Sequence, residues 1–306
     1  MVLRLSASLK NFCIRGLAES MDIRTMTHVA REIFPAYDIH ERTGFPPSMS
    51  IPNLDVASQI VTDVLSSGKF LSFVRLLISA QDDGIMGRRY TVPFLREIIK
   101  GTYELGFVFD SVNGMFTENP SVRRSRNWGA LEEGVEYPFV FLAIDIAGNS
   151  RLVKSYPKAA VNKTYADLRN LVSDSIDSRN GRIWNWEGDG GLVAFFFGEK
   201  HTSAVLSGME IINELFIYNR TSRVLDEPLV VRVGVHGGAC EYSSNTEQLH
   251  HLDTVAETHN IESLAKPDSV TISIVVKVML DEFISQHFRA VGTKKNGPFC
   301  YTLEME

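Results

Sequence analysis

Residues 138–145 read PFVFLAID, an unbroken apolar run that ends in one carboxylate. The run is far shorter than the roughly 18 apolar residues of a membrane span. Because it is apolar at every position and not at alternate ones, it predicts a strand buried on both faces. Each face then needs a covering layer, so the run belongs inside a layered domain.

The residues after it supply the layers. Helical spacing marks 162–178 (Tyr165, Leu168, Leu171, Val172, Ile176) and 200–218 (Val205, Met209, Ile212, Leu215). GRIWNW (181–186) and GLVAFFF (191–197) read as strands separated by EGDG, a hairpin in which glycine supplies the positive φ of a tight turn. PLVVRVGVHGG (228–238) is a further strand, 253–265 a helix, 269–273 a short strand and 274–286 helical again. Residues 288–304 read as a last hairpin turning near Asn296-Gly297. Alternating helices and strands predict one α/β domain, an α+β sandwich with a sheet flanked by helices.

Before residue 137 the pattern differs. Residues 25–35, 54–66, 69–80 and 92–105 carry helical periodicity, and GFPPSMSIPN (44–53) is a proline-rich loop. The expected organisation is a mainly helical accessory or regulatory domain over 1–115, a linker over 116–136 and the sheet domain over 137–306. The linker is polar and aperiodic and holds a small basic cluster, Arg123, Arg124 and Arg126.

Composition limits the classes of function. The chain has 306 residues, 44% hydrophobic and 22% charged, enough for a core without staples. A net charge of −6 argues against nucleic acid as the partner. Three scattered cysteines, Cys13, Cys240 and Cys300, form neither a disulfide framework nor a zinc pattern. MVLRLSASLKNFCIRGL is broken by Arg4, Lys10 and Arg15, unlike a signal peptide, and no run approaches a membrane span. These features predict a soluble cytoplasmic protein without membrane attachment.

The chemistry concentrates at two aspartates. Asp145 closes the first strand, and Asp189 sits at the tip of WNWEGDGG (184–191). Taken singly, each is an ordinary turn or cap residue. If their strands are neighbours, both carboxylates reach one sheet edge, where they repel unless a cation lies between them. Oxygen-only ligation of that kind suits Mg2+ or Mn2+.

FLAIDIAGNS, then WNWEGDGGLVAFF, then LVVRVGVHGG together resemble the class III nucleotide cyclase catalytic domain, over 137–304. In that family a strand ends in Asp-Ile-x-Gly-Phe-Thr, a hairpin carries Gly-Asp, and a later strand reads Arg-x-Gly-x-His-x-Gly. Asp145, Ile146, Gly148, Gly188, Asp189, Arg232, Gly234, His236 and Gly238 fall on those positions, and ESLAKP (262–267) matches the segment after the family's catalytic helix.

The resemblance implies a class III cyclase-like sheet and a reaction that closes a nucleoside triphosphate to its 3′,5′-cyclic monophosphate with release of pyrophosphate. It implies two divalent metal ions, Mg2+ or Mn2+, held by Asp145, Asp189 and the carbonyl of Ile146. One would acidify the ribose hydroxyl and the other neutralise the triphosphate. Gly148, Asn149 and Ser150 would open a helix whose N–H groups face phosphate. The family often carries a lysine in its last hairpin, a role open to Lys294 or Lys295, which equally fit a solvated turn. Arg232 and His236 read as structural. The family's sites are composite across a two-fold dimer, so a chain with one such domain implies a homodimer.

Two departures set the branch. Purine cyclases put Lys or Glu four residues before the second aspartate, where this chain has Asn185, a carboxamide that both donates and accepts. Strand alternation puts Trp184 and Trp186 opposite Asn185, in the core. The family's helix also carries Asn and then Arg, and those positions hold Ala256 and Asn260. His250, His251 and His259 lie near them. These departures resemble the pyrimidine cyclases of bacterial Pycsar antiphage systems, which make cyclic UMP or cyclic CMP as a second messenger. UTP is favoured over CTP, although no residue selects between them on physical grounds. The alternatives are an adenylate or guanylate cyclase with atypical base contacts, and a catalytically silent nucleotide-binding module. A regulatory partner of the N-terminal domain is a further expectation.

Overall fold

The computed structural model describes residues 3–111, 113–122, 125–245, 252–291 and 297–303. The chain divides into two compact units, Met1–Arg124 and Ser125–Glu306.

The first unit is mainly helical. It contains α1 (Ala7–Ser20), α2 (Ile23–Ile33), α3 (Ile39–Thr43), α4 (Asn53–Ser66), α5 (Phe70–Asp82) and α6 (Leu95–Glu104). Polar caps fix where these helices begin: the Ser6 hydroxyl accepts from the Leu9 amide, and Asp22 accepts from the Thr25 amide at 2.8 Å. The apolar stripes meet in one core that includes Cys13, Leu17, Met26, Val29, Ile60, Phe73, Leu77 and Ile98. Two short antiparallel strands, β1 (Phe107–Asp110) and β2 (Met115–Glu118), complete it.

Residues 116–136, expected as a linker, hold ordered pieces. Thr117 and Glu118 lie in β2 of the first unit. Trp128 is 1% exposed in the second unit, packed on Phe139, Phe196 and Phe197, and its indole N–H donates to the Asn180 carbonyl at 2.9 Å. One large aromatic residue anchors an otherwise polar stretch, a long-range contact that local composition does not reveal. Arg123 and Arg124 lie outside the described residues.

The second unit is the α+β sandwich. Its elements are β3 (Glu136–Ile146), α7 (Asn149–Ser155), α8 (Lys158–Asp177), β4 (Arg182–Glu187), β5 (Gly190–Phe195), α9 (Lys200–Thr221), β6 (Val231–Glu241), α10 (Asp253–Ser263), β7 (Ser269–Ile272), α11 (Ile274–Lys277), α12 (Glu282–Ser285), β8 (Arg289–Ala290) and β9 (Phe299–Thr302). They form a seven-stranded sheet in the order β4-β5-β3-β6-β7-β9-β8. Among the described residues only the β6–β7 pair is parallel.

Alternation divides β3 between the two faces. Val140, Leu142, Ile144 and Ile146 pack with Val233 and Val235 of β6 and with α8 and α9, through Leu168, Val172, Val205 and Ile212. Phe139, Phe141, Ala143 and Asp145 point the other way, paired in register with Gly238, His236, Gly234 and Arg232. No described helix is long and apolar enough to cross a membrane.

Candidate functional site

The site is built where β3 ends. Ile144 pairs with Gly191 of β5, so the hairpin carrying Asp189 lies directly beside the strand carrying Asp145. The approach is close. A Cβ on Gly190 would sit 2.3 Å from the Ile144 carbonyl oxygen and 3.2 Å from the Asp145 Cα. Glycine is therefore required at 190, and it lets the 188–189 turn reach the end of β3.

A third element closes on the same place. Tyr165 of α8 donates its hydroxyl to Asn149 Oδ1 at 2.6 Å, which ties α8 to the first residue of α7. Its ring lies by the turn, with Cε2 3.9 Å from where a Gly188 Cβ would stand. Burial raises the pKa of this phenol, and the charges of Asp189 and Asp145 add to the rise. Both carboxylates are thus within electrostatic reach of one hydroxyl. Sequence reasoning took Tyr165 only as part of a core stripe; nothing in helical periodicity marks the polar end of such a residue.

Asp145 faces a cation already present in the chain. Arg232, its register partner on β6, donates through Nη2 to Asp145 Oδ2 at 2.6 Å. That bond, first among the causes, raises the Arg232 pKa. Arg232 Nε also lies 3.2 Å from Oε1 of Glu262, on α10. Glu262 is 8% exposed, and burial raises its pKa. The strand motif now has a physical reason. A Cβ on Gly234 would fall 2.3 Å from the Glu262 amide nitrogen, so α10 lies directly on β6 only because glycine is there. His236 Nδ1 is 2.9 Å from the Ser273 hydroxyl, and burial lowers its pKa. Arg232, read from sequence as structural, therefore touches a candidate ligand.

Asn185 lies on the same sheet face as Asp145, because it pairs with Leu192, which pairs with Ala143. Its Nδ2 donates to Glu187 Oε1 at 2.9 Å. The expected alternation around it does not hold. A β-bulge between Ile183 and Asn185 brings Trp184 onto the Asn185 face, where its ring lies 4.8 Å from Phe139 and 5.1 Å from Phe141. Trp186 alone packs on the opposite, aliphatic side. One extra residue in a strand breaks the period-two rule on which the expectation rested.

Gly148, at φ 78°, leads into α7, and its carbonyl accepts from the Arg151 amide at 2.9 Å. Asn149 and Ser150 form the first turn of that helix, and Ile146 is the last residue of β3. Ala256 and Asn260 line a groove of about 430 Å3 with His236, Asp253, Thr254 and Glu257. Asn260 donates there to Glu257 Oε2 at 3.1 Å. Lys294, Lys295, His250 and His251 lie outside the described residues.

Among the described residues no three His, Cys, Asp or Glu side chains converge as a metal cage. The groups that could serve as donors near the end of β3 are the carboxylates of Asp145 and Asp189 and the backbone carbonyl of Ile146. Such a set fits Mg2+ or Mn2+, which keep positions for water and substrate oxygens, and does not fit a closed zinc site.

No family model matches the chain, and no curated protein matches it. Solved structures do align with it. The guanylyl cyclase Cya2 is 21% identical, with 55% of this chain and 92% of that one covered and a TM-score of 0.45. An adenylate/guanylate cyclase/hydrolase from Silicibacter pomeroyi is 22% identical, covering 56% and 99%, with a TM-score of 0.45. The adenylyl cyclase CyaB from P. aeruginosa is 16% identical, covering 56% and 96%, also with a TM-score of 0.45.

Proposed function

We propose that the second unit is a nucleotide cyclase that converts a pyrimidine nucleoside triphosphate, UTP before CTP, to its 3′,5′-cyclic monophosphate and pyrophosphate. One observation carries this reading. The β3–β5 register and Tyr165 gather Asp145, the Gly188-Asp189 turn and the start of α7 at one end of the sheet. Two acids and a helix start in one place suit a metal-bound polyphosphate.

In this reading Asp145, Asp189 and the Ile146 carbonyl hold Mg2+ or Mn2+. Bound there, the cations would offset triphosphate charge and make the ribose 3′-hydroxyl easier to deprotonate. The amides of Gly148, Asn149 and Ser150 orient the phosphates, with Tyr165 fixing Asn149. Asn185 reads the base. One amide N–H is engaged by Glu187, which leaves the second N–H as a donor and Oδ1 as an acceptor, so the side chain can pair with either pyrimidine. Lys294 or Lys295 adds positive charge near the phosphates. Two copies of the chain pair so that one supplies the acids and the other the base-reading arm. The product is a second messenger in bacterial antiphage defence, made in the cytoplasm, and the first unit is the regulatory part.

The test offers ATP, GTP, CTP and UTP together with Mn2+ and identifies products by mass spectrometry. The reading predicts cyclic UMP from a dimeric protein. Cyclic CMP would move the base assignment, and a cyclic purine would remove the pyrimidine branch. A second reading, nucleotide binding without turnover, is favoured by the groove on α10, where Ala256 and Asn260 offer no cation. Its signature is a folded dimer that binds triphosphate and releases no cyclic product.

A further inference from the structure

Arg232 stands between two acids of different burial. The Asp145 side chain is 32% exposed and takes the guanidinium through Nη2 at 2.6 Å. The Glu262 side chain is 10% exposed and has Arg232 Nε 3.2 Å away, without the geometry of a hydrogen bond. Arg232 Nε and Glu262 Oε1 are both shut off from solvent and both lack a hydrogen-bond partner. Buried polar atoms left in that condition cost stability. The guanidinium is thus bonded to the more exposed acid, while the more buried acid receives its charge alone.

The geometry points to Arg232 as a positioning residue that holds Asp145 while no metal is bound and passes to Glu262 when a divalent cation takes Asp145. The inference rests on the reading of Asp145 as a metal ligand. In the metal-free protein Arg232 keeps Asp145 at the sheet end and relieves its repulsion with Asp189. A cation then competes with Nη2 for Asp145 Oδ2. Arg232 has a second partner within reach, because Nε and Oε1 are already at contact distance. A small reorientation of the guanidinium closes that bond and satisfies the two unpartnered atoms. The lost Asp145 bond is offset, and no charge is stranded. Glu262 is therefore the residue that lets the arginine go.

The inference sets signs for metal affinity that activity alone does not report. Arg232→Gln removes the competitor, so Mn2+ binds more tightly. Glu262→Gln leaves Arg232 with Asp145 as its only acid partner, so Mn2+ binds more weakly. Simple Coulomb attraction gives the same two signs, but its effects add, and the double variant would then return close to wild type. In a hand-over, Glu262 has no role once Arg232 is gone, so the double variant binds like Arg232→Gln.

The experiment measures Mn2+ binding to the nucleotide-free full chain, by calorimetry or by the loss of the free-ion electron paramagnetic resonance signal. Expected are binding by wild type, loss in Asp145→Asn, a gain of roughly fivefold in Arg232→Gln, a loss of roughly fivefold in Glu262→Gln, and a double variant that matches Arg232→Gln. If Arg232→Gln fails to fold because it strands Glu262, the double variant leaves no buried acid, and it must still bind more tightly than wild type. Unchanged affinity in the single variants, or a double variant level with wild type, overturns the hand-over while the metal site stands. No Mn2+ binding by wild type, or binding that survives Asp145→Asn, overturns the metal-site reading and the hand-over with it.

Discussion

On one face of the sheet, β3 presents Val140, Leu142, Ile144 and Ile146 to α8 and α9, and every one of them is 2% exposed or less. On the other face the same strand presents Phe139, Phe141, Ala143 and Asp145. The first face is aliphatic from end to end. The second changes character along its length. An aromatic cluster of Phe139, Phe141, Trp184 and Phe196 fills one end. Glycines that admit α10 occupy the middle, and Asp145, Arg232 and Glu262 stand at the far end. One strand can therefore satisfy folding with its even positions and leave its odd positions to carry chemistry.

The largest expected effect separates chemistry from folding. Asp189→Asn should lower product formation by about a thousandfold, because on the proposed reading it removes one of the two carboxylates that hold the metal ions. Its thermal midpoint should stay near wild type, since the residue sits in a two-residue turn. A large drop in the midpoint would mean that the acid holds the hairpin together and that the two faces are not divided as described.

Next come truncations on either face. Leu142→Ala should cost about 2–5 kcal/mol and Trp184→Ala about 3–5 kcal/mol, read from urea unfolding. The comparison sharpens in the nucleotide profile of the folded fraction. Leu142→Ala should leave base preference unchanged. Trp184→Ala should alter it, since Trp184 lies in the bulge that sets the position of Asn185. Equal profiles would separate the aromatic cluster from base reading.

The smallest effect is one of pH and is shared by the faces. His201, which lies 3.4 Å from a Cβ built on Gly237, and His236, the register partner of Phe141, stand on opposite sides of β6. Burial lowers the pKa of each below the ordinary 6.5. The unfolded state then binds the proton first, so stability is full above about pH 6.5 and is lost as the pH falls toward the folded values. Urea midpoints measured across that window should decline, and His201→Gln and His236→Gln should each flatten the decline. A decline that neither variant alters would assign it to other groups.

Much of this organisation is legible in the chain. PFVFLAID announces a doubly covered strand, because burial on both faces leaves no polar position. The acidic hairpin is legible because glycines flank Asp189, and the helices are legible because their stripes are long. What stays hidden depends on pairing between distant segments. The bulge at Trp184 arises from the register with β5, so alternation counted along β4 alone places that ring on the wrong face. Tyr165 reads as a stripe residue, and only the fold shows its hydroxyl at Asn149. Glu262 enters the sequence reading only as the start of ESLAKP, and its burial beside Arg232 shows only once α10 is laid over Gly234. β1 lies in the part expected to be helical, while most of β2 and the anchor at Trp128 sit in a stretch whose local composition is that of a connector.

The measurement that bears most directly on the account is product formation from an equimolar mixture of the four triphosphates with Mn2+, by wild type and by Asp145→Asn side by side. The account predicts one cyclic pyrimidine nucleotide and pyrophosphate from wild type, and neither above background from the variant. Cyclic product made equally well by the variant, or none from a folded wild-type dimer, would contradict it.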